Sequence, residues 1–211
     1  MTRLEDVQSR INFYQFLSFL FNREITSEFY SELQGSEMMR PLVENGYLPS
    51  HKPGPDELKD FIEELQCEFT RIFIGPGKHL PPYESINLET GDDAGLLWGK
   101  TTAEVNRFYK YYGFDFTPDY GGIPDHISVE FEFMWKILKE EIKALEGGDS
   151  SKAVHCRKVQ REFFNKHVKT WVPRFCHKVL TSADSQFYQG VASLTRDFID
   201  EEDRVLNPEM Q

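Results

Sequence analysis

Apolar residues along this chain recur at steps of three and four, the spacing that gathers them on one face of an α-helix. In the first segment Leu4, Val7, Ile11, Tyr14, Leu17, Leu20 and Phe21 form such a stripe, and Phe13, Phe16 and Phe19 widen it. This helix is therefore expected to be buried on more than one side. Shorter helices follow over 27–33 and 36–45, punctuated by Gly35 and Gly46. Pro53-Gly54-Pro55 is a stop signal, and Pro55 suits the first turn of the next helix, where its missing N–H costs nothing. That helix, from Asp56 to about Phe73, aligns Leu58, Phe61, Ile62, Leu65, Phe69, Ile72 and Phe73, and ends at Gly75-Pro76-Gly77.

From Gly75 to about Gly99 the pattern is irregular, and a structureless stretch of that length in a compact domain is usually functional. Thr101-Thr102-Ala103-Glu104 fits a capping box opening a helix to about Tyr112. A second loop spans Phe114–Ile123, and Pro124 is expected to start the longest helix, running to about Glu146. Further helices are expected over Ser150–Thr170, beyond Pro173 through Leu180, and over Asp184–Glu202. There is no period-two strand, no repeat and no low-complexity tract. The expectation is an all-α, single-domain bundle (residues 1–211) of about nine to ten helices, with a possible hinge near 114–123.

Charge narrows the function. The formal net charge of −11 argues against a sequence-independent nucleic-acid binder, which needs surplus Lys and Arg to displace counterions from phosphates. It favours a basic partner. No apolar run is long enough to span a bilayer, and Met1-Thr2-Arg3-Leu4-Glu5-Asp6 lacks the basic head and apolar core of a signal peptide. Three scattered cysteines do not make a disulfide framework. The chain reads as cytoplasmic.

Catalytic constellations are weak. His155-Cys156, His167 and Cys176-His177 cluster in the last third, but adjacent pairs point to different sides of a helix, whereas zinc sites use spacings that share a face. No His follows a Glu by three positions, as helical di-iron sites require. Gly99-Lys100-Thr101 imitates the end of a phosphate loop without its first glycine or its preceding strand. Cys67 has apolar neighbours and no nearby base, and is expected to be a buried, inert thiol. No metal, cofactor or enzymatic activity is expected. The alternatives are a nucleotide- or metal-dependent helical enzyme built on these residues, or an assembly module.

Two segments stand apart. One runs from Glu68-Phe69-Thr70-Arg71-Ile72-Phe73-Ile74-Gly75-Pro76-Gly77 to Pro81-Pro82-Tyr83-Glu84-Ser85. The other is Ile123-Pro124-Asp125-His126-Ile127-Ser128-Val129-Glu130-Phe131-Glu132-Phe133-Met134. Together they resemble the TorD/DmsD/NarJ-type redox-enzyme maturation chaperones, which show an aromatic helix running into Gly-Pro, a Pro-Pro-aromatic-x-Ser loop, and Pro-Asp-His opening a helix. The resemblance implies a non-enzymatic all-α protein. Such a protein binds the twin-arginine leader, or the apo form, of a molybdopterin oxidoreductase subunit and delays export until the cofactor is inserted. A monomer or a domain-swapped dimer is expected, with Gly121-Gly122, just before a long helix, as a hinge for exchanging helices between subunits. The resemblance places peptide binding on Tyr83, Glu84, Ser85, Pro124, Asp125 and His126, with Phe69 and Phe73 lining the groove. The residue types suit that role, because carboxylates such as Glu84 and Asp125 can accept paired bonds from Arg and aromatics can cover an apolar stretch. The plainer readings are that Asp125 serves the helix dipole, His126 caps or packs, Glu130 and Glu132 are solvated or paired, and Arg71 pairs with Glu68 or a loop carboxylate.

Overall fold

The computed structural model describes residues 3–49, 53–88, 97–114 and 122–210. Its helices are α1 (Arg3–Asn22), α2 (Ser27–Leu33), α3 (Arg40–Glu44), α4 (Pro55–Phe69), α5 (Glu84–Leu88), α6 (Lys100–Tyr111), α7 (Ile127–Glu146), α8 (Ser150–Phe163), α9 (Lys169–Ser182) and α10 (Gln186–Leu206). No strand ladder forms among the described residues; the one β-type pairing is an isolated antiparallel bridge between Tyr83 and His126. The bundle is all-α. None of its described helices is long and apolar enough to cross a membrane.

Helix α1 lies along α7, α7 along α8, and α9 along α10. One hydrophobic cluster runs through all of them. The aromatic stripe of α1 enters it as expected, with Tyr14, Leu17 and Leu20 fully buried. At its centre Phe21 meets Phe73, Phe131 and Phe175 at ring-centroid distances of 5.9, 6.4 and 6.0 Å. A fully buried Phe of this kind contributes about 1.5–3 kcal/mol through the hydrophobic effect.

The structure differs from the periodicity at several places: α3 covers only Arg40–Glu44 of the expected 36–45, and α5 forms inside the stretch expected to be irregular. Helix α4 does not run unbroken to Phe73 but widens at Thr70–Ile74 into a π-turn, which Gly75 N–H closes on Thr70 O at 2.6 Å. Pro173 does not interrupt a helix. A second π-turn at Phe164–Val168 joins α8 to α9, and Pro173 sits inside α9, one turn beyond that widening. Such wide turns already break the regular hydrogen-bond register, which is where an imino residue is least disruptive. The capping residue of α6 is Gly99, whose extended backbone (φ −76°, ψ −163°) ends the loop, so Thr101 lies in the first turn and is not the cap. Helix α7 begins at Ile127, not at Pro124. Pro124 and Asp125 form a turn, and His126, with extended φ −74° and ψ 138°, is the N-cap. The expected 114–123 hinge falls largely on residues outside those described.

Candidate functional site

The irregular segment after α4 is tied down at its far end. Glu84 N–H donates to Asp125 O at 2.9 Å, and Ile127 N–H donates to Pro82 O at 2.9 Å, which makes the Tyr83–His126 bridge. The two motifs thus meet across more than forty residues of sequence. The rings of Tyr83 and His126 pack edge to face with centroids 5.0 Å apart. They form one wall of an open depression of about 210 Å³. Phe69 and Phe73 lie along it, Phe21 and Pro82 beside them, and Ile74, 63% exposed, stands at its rim. Phe69 and Phe73 pack edge to face with ring centroids 5.0 Å apart.

The other sequence-predicted residues lie behind this wall. Asp125 is fully buried, and its Oδ2 accepts the Ser85 N–H at 2.8 Å. Ser85 is fully buried too, and the buried Pro124 accepts the Tyr109 hydroxyl at 3.1 Å. Glu84 is 2% exposed, with Oε2 2.9 Å from Nδ1 of the buried His167. The expectation that Glu84 and Asp125 present free carboxylates to a client arginine is therefore corrected: both are spent inside the protein, pinning the loop to α7 and to the second π-turn. Of the six residues assigned to peptide binding, Tyr83 and His126 face the depression, while Glu84, Ser85, Pro124 and Asp125 hold them there.

Beneath the wall is a concentration of buried acid that sequence reading missed. Glu130, expected to be solvated or paired, is fully buried and accepts Trp171 Nε1–H at 3.0 Å. Burial, then the neighbouring Glu84 and Asp125, push its carboxyl well above the ordinary range, and burial raises Glu84 as well. A carboxyl that takes up a proton can be buried beside another without the cost of like charges. The only sequence signal for this arrangement is a Glu on the apolar side of α7, next to Phe131 and Met134.

His126 both caps and lines the depression. Its Nδ1 accepts the Ser128 N–H at 3.2 Å and lies 2.6 Å from Ser128 Oγ. Burial lowers its pKa to about 4, which keeps the ring neutral and its Nδ1 an acceptor. Burial likewise raises the Tyr83 phenol.

Other expectations resolve simply. Arg71 pairs with Glu68 and with Asp184, each at 3.0 Å, and Glu68 also accepts the Ser185 N–H ahead of α10. Cys67 is exposed, not buried, because it lies off the Ile62–Leu65–Phe69 face of α4. Cys156 and Cys176 are buried, and no group of His, Cys, Asp and Glu among the described residues is arranged to hold a metal ion.

Comparison with known proteins converges on one family. The family model for the nitrate reductase delta subunit matches residues 55–177, a span containing both motifs. The chaperone protein TorD of Photobacterium profundum is 27% identical over 198 residues, covering 89% of each chain. TorD of Vibrio atlanticus is 28% identical over 203 residues, again 89% of each. The selenate reductase assembly chaperone protein of Thauera selenatis is 31% identical over 130 residues, covering 60% of this chain and 63% of its own. With the family match spanning more than half its length, this chain belongs to the nitrate reductase delta subunit family, the family of TorD-type maturation chaperones.

Proposed function

We propose that this chain is a maturation chaperone for a molybdopterin oxidoreductase, acting by binding and not by catalysis. It holds the twin-arginine leader of the unfinished subunit in the depression walled by Tyr83 and His126. The observation that carries this reading is that depression: an open, aromatic-floored site assembled by both motifs at one place. Ile74 offers apolar surface to the greasy part of a leader above a floor formed by the edges of Phe69 and Phe73, and the net charge of −11 attracts its cationic part. The names of the relatives, TorD and a selenate reductase assembly chaperone, support the client class. Holding the leader would keep the subunit from export, which gives the chain a cytoplasmic place of work.

Calorimetry with a synthetic leader, Ser-Arg-Arg-x-Phe-Leu-Lys followed by an apolar stretch, tests this. Saturable binding is expected, and Ile74→Asp, at an exposed rim position, should weaken it at least about tenfold by placing a charge against apolar side chains, with circular dichroism checking that the variant folds. No binding at millimolar peptide overturns the reading.

A further inference from the structure

The depression does not end at Tyr83 and His126. Asn22, Ser128 and Val129 line both it and a second depression of about 220 Å³, so the two adjoin and share a wall along the seam of α1 and α7. The second half differs in chemistry. Its walls are Phe19 and Trp135, and it contains Glu132, whose side chain is 31% exposed. Unlike Glu84 and Asp125, this carboxylate is reachable.

The chain's own cations show what these groups attract. Lys136 Nζ lies 2.6 Å from Glu132 Oε1, Lys139 Nζ lies 4.4 Å from the centre of the Trp135 ring, and the Arg23 guanidinium carbon lies 4.5 Å from the centre of the Phe19 ring. All three cations are on long, solvent-reaching side chains, and an exposed pair four residues apart on a helix is weak. A guanidinium that docks both nitrogens on a carboxylate and lays its plane on an aromatic face makes a stronger, better oriented contact than a lysine point charge does.

Resting on the leader reading above, we infer that Glu132, beside Trp135, is the specificity-determining residue that receives an arginine of the leader's pair. The leader then lies with its arginines at the Glu132 end and its apolar residues over Phe69 and Phe73. Asn22 and the buried Ser128 form the wall that the two depressions share, which the middle of the peptide crosses.

The test titrates fluorescently labelled leader into the full chain, using the Arg-Arg peptide and a Gln-Gln counterpart, with wild type, Glu132→Gln and Glu132→Asp. Glu132→Gln is expected to weaken the Arg-Arg peptide about tenfold while leaving the Gln-Gln peptide unchanged, and Glu132→Asp to recover part of the loss. Equal weakening of both peptides, or an arginine preference that survives Glu132→Gln, overturns the assignment and leaves the leader reading standing. Failure of wild type to bind either peptide overturns the leader reading itself.

Discussion

At the scale of single residues, His126 couples the candidate site to acidity. Its Nδ1 can accept the Ser128 N–H only while the ring is neutral, and its folded pKa of about 4 lies below the ordinary value of 6.5. A group depressed in the folded state contributes stability that is fully present above the unfolded pKa and is lost as pH falls toward the folded one. Glu84 and Glu130 act in the opposite sense. Their raised carboxyls favour the folded state at low pH, and that contribution fades as pH climbs through their folded values. Replacing His126 with Asn keeps a capping acceptor but removes the titration. Urea unfolding at pH 7 and pH 5.5 should show wild type losing about 1 kcal/mol more than His126→Asn over that interval. Parallel losses would show that the ring's pKa is the same in the folded and unfolded states.

At the scale of elements, helix packing has left one position no room. Gly190 in α10 lies against Tyr47, in the chain just after α3, and a Cβ built on it would come within 2.5 Å of the Tyr47 ring. Overpacking of this sort forces neighbours to shift and costs about 1–3 kcal/mol. Gly190→Ala should be destabilised in that range by chemical denaturation, although alanine is the better helix former. Tyr47→Ala in the same chain should relieve much of the loss, and a double-mutant cycle reports the coupling. Additive effects would rule out the clash as the cause. The two π-turns matter at the same scale. One brings Phe69 and Phe73 to the depression, and the other carries His167 to Glu84.

For the whole molecule, a buried polar network ties the first helix to the last. Arg10 donates to both oxygens of Glu202, at 2.6 and 2.9 Å, and to Gln160 at 3.0 Å, while the Tyr14 hydroxyl reaches Glu202 at 2.9 Å. Gln160 passes the chain of bonds on to Glu141 of α7 at 2.8 Å. Removing one member of a buried ion pair strands the other, so Arg10→Met should cost about 3–5 kcal/mol in a urea titration. A cost under about 1 kcal/mol would mean that Glu202 finds water or a proton instead. Charge is also unevenly spread. Residues 150–182, which carry α8 and α9, hold eight Lys and Arg against one Glu, so the remainder is more acidic than the net −11 suggests. A cationic leader is steered toward that remainder, and stopped-flow association should slow several-fold as salt rises from about 0.05 to 0.5 M. A rate indifferent to salt would mean that encounter does not depend on charge.

What the amino-acid order determined by itself is everything that depends on neighbours three or four positions away. The all-α class, the buried stripe of α1, the limits of α2 and the pairing of Arg71 with Glu68 were legible because helical periodicity is a local property. The two motifs were legible for the same reason, as short strings. The tertiary structure alone decided that Glu84 and Asp125 turn inward while Glu132 stays accessible, that Cys67 faces out, and that Tyr83 meets His126. Whether a carboxylate is buried depends on a partner far along the chain that can match its charge or share its proton, and no spacing between neighbours encodes that partner.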